Sequence, residues 1–414
     1  MAEKVVLAYS GGLDTSVLVK WLQEKYGFDV IAVNIDVGNE KDFTAVRQKA
    51  LDIGAVKSMV IDAKELFVKY FVFPALQANA VYEGQYPLAT ALTRPLMAKL
   101  LVDVAVEEGA STIVHGCTGK GNDQVRFEVS INALAPNMKI IAPAREWNMT
   151  REDTIAYAKK HNIPLPVTIS SPYSIDVSLW GKAIECGDLE DPWSEPPEDA
   201  FTMTVSPDKA PDEPQYIEIG FEKGIPVSID GEEMDGVSLV TQMNEIAGRH
   251  GIGRIDHIED RVVGIKSREI YEAPAAVVLL EAHKALEAMT MSKDQLDFKE
   301  TVAKKYADMI YGGLWFSQLN RDLSAYILSS QRYVTGEIRL KLYKGHSHIV
   351  GRKAPKSLYN LSLATYSEGD HFDQSASVGF IHLWGLPLKN QAQVQLLGDS
   401  EGPLSIMGPE EEDS

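Results

Sequence analysis

The run Ala8-Tyr9-Ser10-Gly11-Gly12-Leu13-Asp14-Thr15-Ser16 follows the apolar residues Val5-Val6-Leu7 and leads into Val17-Leu18-Val19-Lys20-Trp21-Leu22. That order predicts a strand, a tight turn and the first turn of a helix. Glycines at such a turn let backbone N–H groups approach an anion closely, and the helix start adds the positive end of its dipole. Ser10, Thr15 and Ser16 offer hydroxyls to the same place. The chemistry expected is phosphate binding. The loop lacks the lysine of G-x-x-x-x-G-K-[ST], so it is not the common NTPase loop.

A second run is His115-Gly116-Cys117-Thr118-Gly119-Lys120-Gly121-Asn122-Asp123-Gln124-Val125-Arg126-Phe127-Glu128. Three glycines, a lysine and a hydroxyl make another anion-friendly turn. Asn122 reads as a helix N-cap, and Arg126, four residues on, shares its face. A capped, salt-bridged helix accounts for the glycines but not for so many polar groups, which favours a functional role. Lys120 has neither the following Ser or Thr nor the glycine spacing of a phosphate loop.

Other constellations read as structural on their own. The charged runs 253–261 and 264–271 suggest a solvated strand pair, while Tyr82-Glu83-Gly84-Gln85-Tyr86-Pro87 and Pro172-Tyr173-Ser174-Ile175-Asp176 are turn sequences. His346 and His348 share a strand face without a third metal ligand at sensible spacing. Cys117 has no paired base and reads as a packed thiol. Trp180, Trp315 and Trp384 read as core or interface residues.

The elements that must hold these loops follow from hydrophobic periodicity. Strands are expected at 4–9, 29–35, 56–61, 111–114 and 139–141, with helices at 42–53 and 96–108. Another helix begins near Thr150, where Thr150-Arg151-Glu152-Asp153 has capping-box chemistry. This alternation predicts a parallel α/β sheet, whose ligands gather at strand carboxyl ends near a reversal of strand order. The loops after the first and fourth strands therefore matter most. Prolines and acids predict an extended, solvated loop at 187–215. An α+β pattern follows, with hairpins at 216–229 and 337–350 and helices at 237–249, 274–289 and 293–311. The apolar stretch after Val378, interrupted by Pro387, reads as an arm. The expected domains are 1–165 for nucleotide binding, 166–375 for catalysis and multimerisation, and 376–414 as arm and acidic tail.

Composition narrows the class. A net charge of −19 repels phosphate backbones, which argues against nucleic acid as a partner. Only two cysteines occur, Cys117 and Cys186, in neither a C-x-x-C pair nor a zinc spacing, as in a reducing compartment. No apolar run approaches the ~20 residues that span a bilayer, and no signal peptide is evident. A soluble cytoplasmic protein without a membrane partner is expected.

Ser10-Gly11-Gly12-Leu13-Asp14-Thr15-Ser16 resembles the pyrophosphate loop of the ATP pyrophosphatases, which cleave ATP between its α- and β-phosphates. With the segments 118–127, 86–90, 172–176, 189–192 and 264–268, the chain resembles the argininosuccinate synthases up to about residue 385. The resemblance implies a two-step ligation, in which citrulline is adenylated and the amine of aspartate then displaces AMP. It implies ATP contacts from Ala8, Tyr9, Ser10, Gly11, Gly12, Leu13, Asp14, Thr15, Ser16, Ile35 and Gly116. Aspartate would be held by Thr118, Asn122 and Asp123, and citrulline by Tyr86, Asn122, Arg126, Ser174, Glu259 and Tyr271. Asp123 would orient the attacking amine or accept its proton. Mg²⁺ is expected with ATP, bound through phosphates and water, and the family resemblance implies a homotetramer with C-terminal segments reaching across subunits. Ala91 and Ala183 stand where family members carry serines, so those hydroxyl contacts are not carried over. The alternative is another ATP pyrophosphatase, of the tRNA-modifying or amidotransferase type. The cysteine pair and basic surface of tRNA thiolation are absent from the sequence.

Overall fold

The computed structural model describes residues 2–39, 42–147, 150–164 and 173–396. The expected domain boundary at 165/166, Pro172 and the acidic run 410–413 lie outside the described residues. Residues 1–358 form one compact unit and 359–414 another.

The first part of the larger unit runs β1 (Lys4–Ala8), α1 (Leu13–Tyr26), β2 (Asp29–Asp36), α2 (Phe43–Ile53), β3 (Lys57–Asp62) and a short α3 (Lys64–Phe67). A π turn leads into α4 (Phe73–Ala78), then α5 (Thr93–Glu108), β4 (Thr112–Val114), α6 (Asn122–Leu134), β5 (Lys139–Ile141) and α7 (Arg151–Lys160). All five strands are parallel, in the order β3-β2-β1-β4-β5. The order reverses between β1 and β4, so the loops leaving these two strands open side by side. Val5, Val6 and Leu7 are fully buried, as befits a central strand covered on both faces.

Two local readings need adjustment. Helix α5 starts three residues before the apolar pattern suggested, because the buried Arg94 interrupts that pattern. Gly121, not Asn122, is the N-cap of α6; the Asn122 side chain is committed elsewhere. The capping box at Thr150 and Asp153 forms as its residue types require, with each side chain accepting from the other's backbone N–H.

Beyond residue 173 the chain forms β6 (Ser174–Ser178), β7 (Gly181–Glu185), β8 (Gln215–Glu222), β9 (Ile225–Ile229), β10 (Glu232–Glu233), α8 (Gly236–Arg249), β11 (Arg254–Asp260) and β12 (Lys266–Glu272). Then come α9 (Pro274–Thr290), α10 (Lys293–Tyr311), α11 (Gln318–Ser330), β13 (Gly336–Tyr343) and β14 (His346–Lys353). Two antiparallel sheets result, ordered β11-β12-β7-β6 and β10-β9-β8-β13-β14. Both expected hairpins are present, and His346 and His348 lie on the edge strand β14. Periodicity missed α11, which buries little beyond Asn320 and Ile327 and so carries a faint apolar stripe.

The proline-rich loop is less solvated than its composition suggests. Leu189, Ala200 and Ala210 are buried, and the backbone N–H groups of Thr202, Met203 and Thr204 all donate to the fully buried carboxylate of Glu272. A buried carboxylate must find donors, and this segment supplies them.

The smaller unit contains α12 (Leu361–Ala364) and α13 (Ala376–Gln391). Pro387 sits inside α13 instead of ending it. Phe380, Ile381, Leu383, Trp384 and Leu388 are all exposed on this helix.

Candidate active site

The loop between β1 and α1 folds as its glycines dictate. Gly11 adopts φ +78°, and a Cβ there would lie 3.0 Å from Cγ1 of Val46. Gly12 caps α1, leaving first-turn N–H groups without helix partners. They open on a cavity of about 380 Å³ lined by Ala8, Tyr9, Ser10, Gly12, Leu13, Asp14 and Thr15, by Ile35 at the end of β2, and by Gly116. Gly11 and Ser16 do not line it. The Ser16 hydroxyl is turned inward to that of Tyr9, 3.1 Å away, so only two of the three expected hydroxyls face the cavity. Ser10 and Thr15 hydroxyls lie 3.0 Å apart. A cation stands beside the loop after all: Lys49 of α2 donates its Nζ to the Gly11 carbonyl at 3.1 Å.

A second cavity, of about 240 Å³, adjoins the first. Tyr86, Thr118, Asn122, Asp123, Arg126, Glu259 and Tyr271 line it, together with Ala183. Ser174, expected with them, lines the first cavity instead. Gly116, Cys117, Asp123, Asp176 and Glu185 belong to both walls, so the two chambers meet there.

The runs 253–261 and 264–271, read as a solvated strand pair, form the floor of this cavity as β11 and β12. Glu259 is buried and accepts from Tyr271 at 2.6 Å and from Tyr311 at 2.5 Å. Asn122 donates to the Tyr311 hydroxyl at 2.8 Å and accepts from the Val262 N–H at 2.8 Å. Arg126 donates Nε to the Tyr311 carbonyl at 2.9 Å. Gly313 permits this approach: at φ +77°, its Cβ would stand 2.8 Å from the Arg126 Cα. Tyr86 stacks on Tyr271 with ring centres 4.0 Å apart. Its hydroxyl accepts the N–H groups of Thr90 and Ala91, which puts fully buried Ala91 behind the wall while Ala183 forms part of it.

Charge is arranged around Asp123. Arg94 donates to Oδ2 at 2.7 Å and also pairs with Asp176, while Arg126 donates to Oδ1 at 3.0 Å. Burial alone would raise this carboxyl, but the two guanidinium groups outweigh it and hold it down at about 2. Glu259 lies above the usual carboxylate range because of its burial. Burial and the neighbouring Glu269 push Glu185 up to about 6. Burial pushes the Cys117 thiol to about 12, which agrees with a packed thiol rather than a nucleophile.

Sequence reasoning missed Arg94, Asp176, Glu185, Arg261, Glu269 and Tyr311 as members of this site. Arg94 left one signal, a charge within an otherwise apolar helix. Tyr311 left none, since it reads as the apolar end of α10.

A glycine loop at the reversal point of a parallel sheet, next to a chamber lined by both charge signs, defines an ATP-pyrophosphatase type of domain joined to a second domain built on antiparallel sheets. The family model described as the arginosuccinate synthase N-terminal HUP domain matches residues 4–164, and that of the arginosuccinate synthase C-terminal domain matches 173–391. The argininosuccinate synthase of Dehalococcoides mccartyi is 61% identical over 401 residues, covering 97% of this chain and 99% of the relative. That of Oceanobacillus iheyensis is 59% identical over 392 residues, covering 95% and 94%. That of Listeria monocytogenes is 57% identical over 392 residues, covering 95% and 97%. The chain belongs to the argininosuccinate synthase family and is a ligase.

Proposed function

We propose that the two chambers divide a two-step reaction, with ATP in the first and the amino acids in the second. The reaction is the ATP-dependent ligation of citrulline and aspartate to argininosuccinate, a step of arginine biosynthesis that releases AMP and pyrophosphate. The ureido oxygen of citrulline attacks the α-phosphorus across the shared wall, and the α-amine of aspartate then displaces AMP from the resulting citrullyl-AMP. One observation carries the reading: Gly116, Cys117, Asp123, Asp176 and Glu185 line both chambers, so groups bound in each would meet.

Ala8 to Ser16, with Ile35 and Gly116, hold ATP in this reading, and the α1 start receives pyrophosphate. Arg126 takes the carboxylate of citrulline and Glu259 its ammonium, with Tyr86, Asn122 and Tyr271 as further contacts and Ser174 reaching it from the first chamber, beside Glu185 where the two meet. Thr118, Asn122 and Asp123 hold aspartate. With both oxygens already accepting from arginines, Asp123 orients the amine electrostatically and is a poor proton acceptor. Most of the catalysis is then alignment and charge stabilisation.

Mg²⁺ accompanies ATP through its phosphates and water. Among the described residues no group of three His, Cys, Asp or Glu is clustered to hold a metal. The expected division at 1–165, 166–375 and 376–414 is retained, with the exposed apolar residues of α13 supporting a homotetramer built through the arm. No described helix is long and apolar enough to cross a membrane, and a cytoplasmic location is proposed.

The test is product formation. AMP and pyrophosphate should accumulate from ATP only when both citrulline and aspartate are supplied. ATP consumption driven by uncharged tRNA or by ammonia would replace this reading with another ATP-pyrophosphatase chemistry.

A further inference from the structure

The α-amine of aspartate is an ammonium at neutral pH and must lose a proton before it can attack, so the site needs an acceptor where the two chambers meet. The titratable groups at that junction are Asp123, Asp176, Glu185 and Cys117. Asp123 is held on both oxygens by arginines, and Asp176 is paired with Arg94. The Cys117 thiol is kept protonated by burial. Glu259, with both oxygens accepting from tyrosines, and Glu269 line only the amino-acid chamber.

Glu185 is differently placed. It ends β7, beside Ser174 in the register of β6, and its side chain is half-buried. Its Oε2 accepts from Arg261 at 2.7 Å, and no described protein donor reaches its Oε1. That same Arg261 nitrogen is shared with Glu269, which weakens its hold on either carboxylate. We infer that Glu185 is the proton acceptor for the aspartate amine in the second step. The inference rests on the proposed function and adds a catalytic residue to it.

The ammonium N–H bond breaks and its proton passes to Glu185 Oε1, leaving the nitrogen lone pair. That pair forms the C–N bond to the activated ureido carbon of citrullyl-AMP. The carbon–oxygen bond to AMP then breaks with its electrons departing on the phosphate, and the second N–H proton leaves with that phosphate. No further co-reactant is required.

The groups facing Glu185 set its titration. Glu269 of β12 and Asp123 of α6 raise its pKa, in addition to burial, whereas Arg261 of the β11–β12 turn lowers it; Asp176 of β6 lines the same walls. The balance leaves it at about 6, high enough to take a proton and low enough to be ionised at pH 7. Below that pH the acceptor is already protonated and the second step slows.

The experiment is pre-steady-state kinetics on Glu185→Gln, with pyrophosphate release from ATP and citrulline followed separately from aspartate-dependent AMP formation. The variant should release pyrophosphate within about 3-fold of the parent rate, and its aspartate step should fall by at least about 100-fold, the size expected for a lost general base. The KM for aspartate should move little, and the acid limb near pH 6 should disappear from the second step. Equal loss in both steps, a rise in KM with kcat intact, or an unchanged second step would each overturn the proposal. An unmodified enzyme that releases no pyrophosphate with citrulline would instead remove the proposed function itself.

Discussion

The Tyr311 hydroxyl, at the last residue of α10, donates to Glu259 Oε1 at 2.5 Å while accepting from Asn122 Nδ2 at 2.8 Å. One hydroxyl thereby joins α10, the start of α6 and β11, and it fixes the two residues expected to bracket citrulline. Tyr311→Phe keeps the ring and its contact with Arg126 but removes this link. A lost hydrogen bond to a buried charged group is worth about 1.5–3 kcal/mol, so citrulline affinity should weaken by roughly 10-fold or more in calorimetric titration. An unchanged affinity would show that Glu259 is oriented by Tyr271 alone.

Asp123→Asn separates binding from chemistry and from stability. The aspartate-dependent step should fall sharply, with citrulline-dependent pyrophosphate release less affected. The folded-state carboxyl lies at about 2, below its ordinary 3.8. Its contribution to stability is therefore complete above pH 3.8 and is lost as pH falls through about 2. Urea midpoints should show the variant less stable by roughly 1–3 kcal/mol at pH 7, a figure reduced for partial solvent exposure. The gap to the parent protein should narrow below pH 3.8, as the unfolded carboxyl takes up its proton, and close as pH falls through about 2.

Arg94 is buried and balances Asp123 and Asp176 together. Arg94→Gln leaves two carboxylates facing each other, which should cost about 3–5 kcal/mol in chemical denaturation. Turnover should fall even where the variant remains folded, since Asp123 loses one of its two fixed partners.

The two alanines at serine positions should respond differently. Ala183 faces the second cavity, where citrulline is proposed to bind, so Ala183→Ser should lower the KM for citrulline by about 3- to 10-fold through one new hydrogen bond. Ala91 is fully buried behind Tyr86, and Ala91→Ser should leave KM unchanged while lowering stability by about 1–3 kcal/mol. Steady-state kinetics and thermal melts distinguish the two.

Helix α13 exposes Phe380 at 63% and Trp384 at 78%, more apolar surface than an isolated helix tolerates in water. Deleting residues 376–414 should convert the proposed tetramer to smaller species in light scattering. A deletion that leaves the mass per particle unchanged, apart from the lost residues, would place the subunit contacts elsewhere.

Much was legible locally. The strands of the first sheet lie within a residue or two of their apolar runs, because a strand covered on both faces must be apolar along its length. Gly11 announced the tight turn after β1 because its positive φ is needed in the turn itself. The capping box at Thr150 and the span of α10 follow from neighbours in sequence for the same reason.

The working site was decided by the fold. Arg94 meets Asp176 across 82 positions and Asn122 meets Tyr311 across 189, distances over which no sequence period operates. Glu185 and Ser174 reach the first cavity only because β6 and β7 join the sheet that carries Glu259 and Tyr271. Spacing along the chain determines which groups exist and which local turn presents them. The charge state of each group depends on what burial and pairing bring beside it, and only the tertiary structure supplies those neighbours.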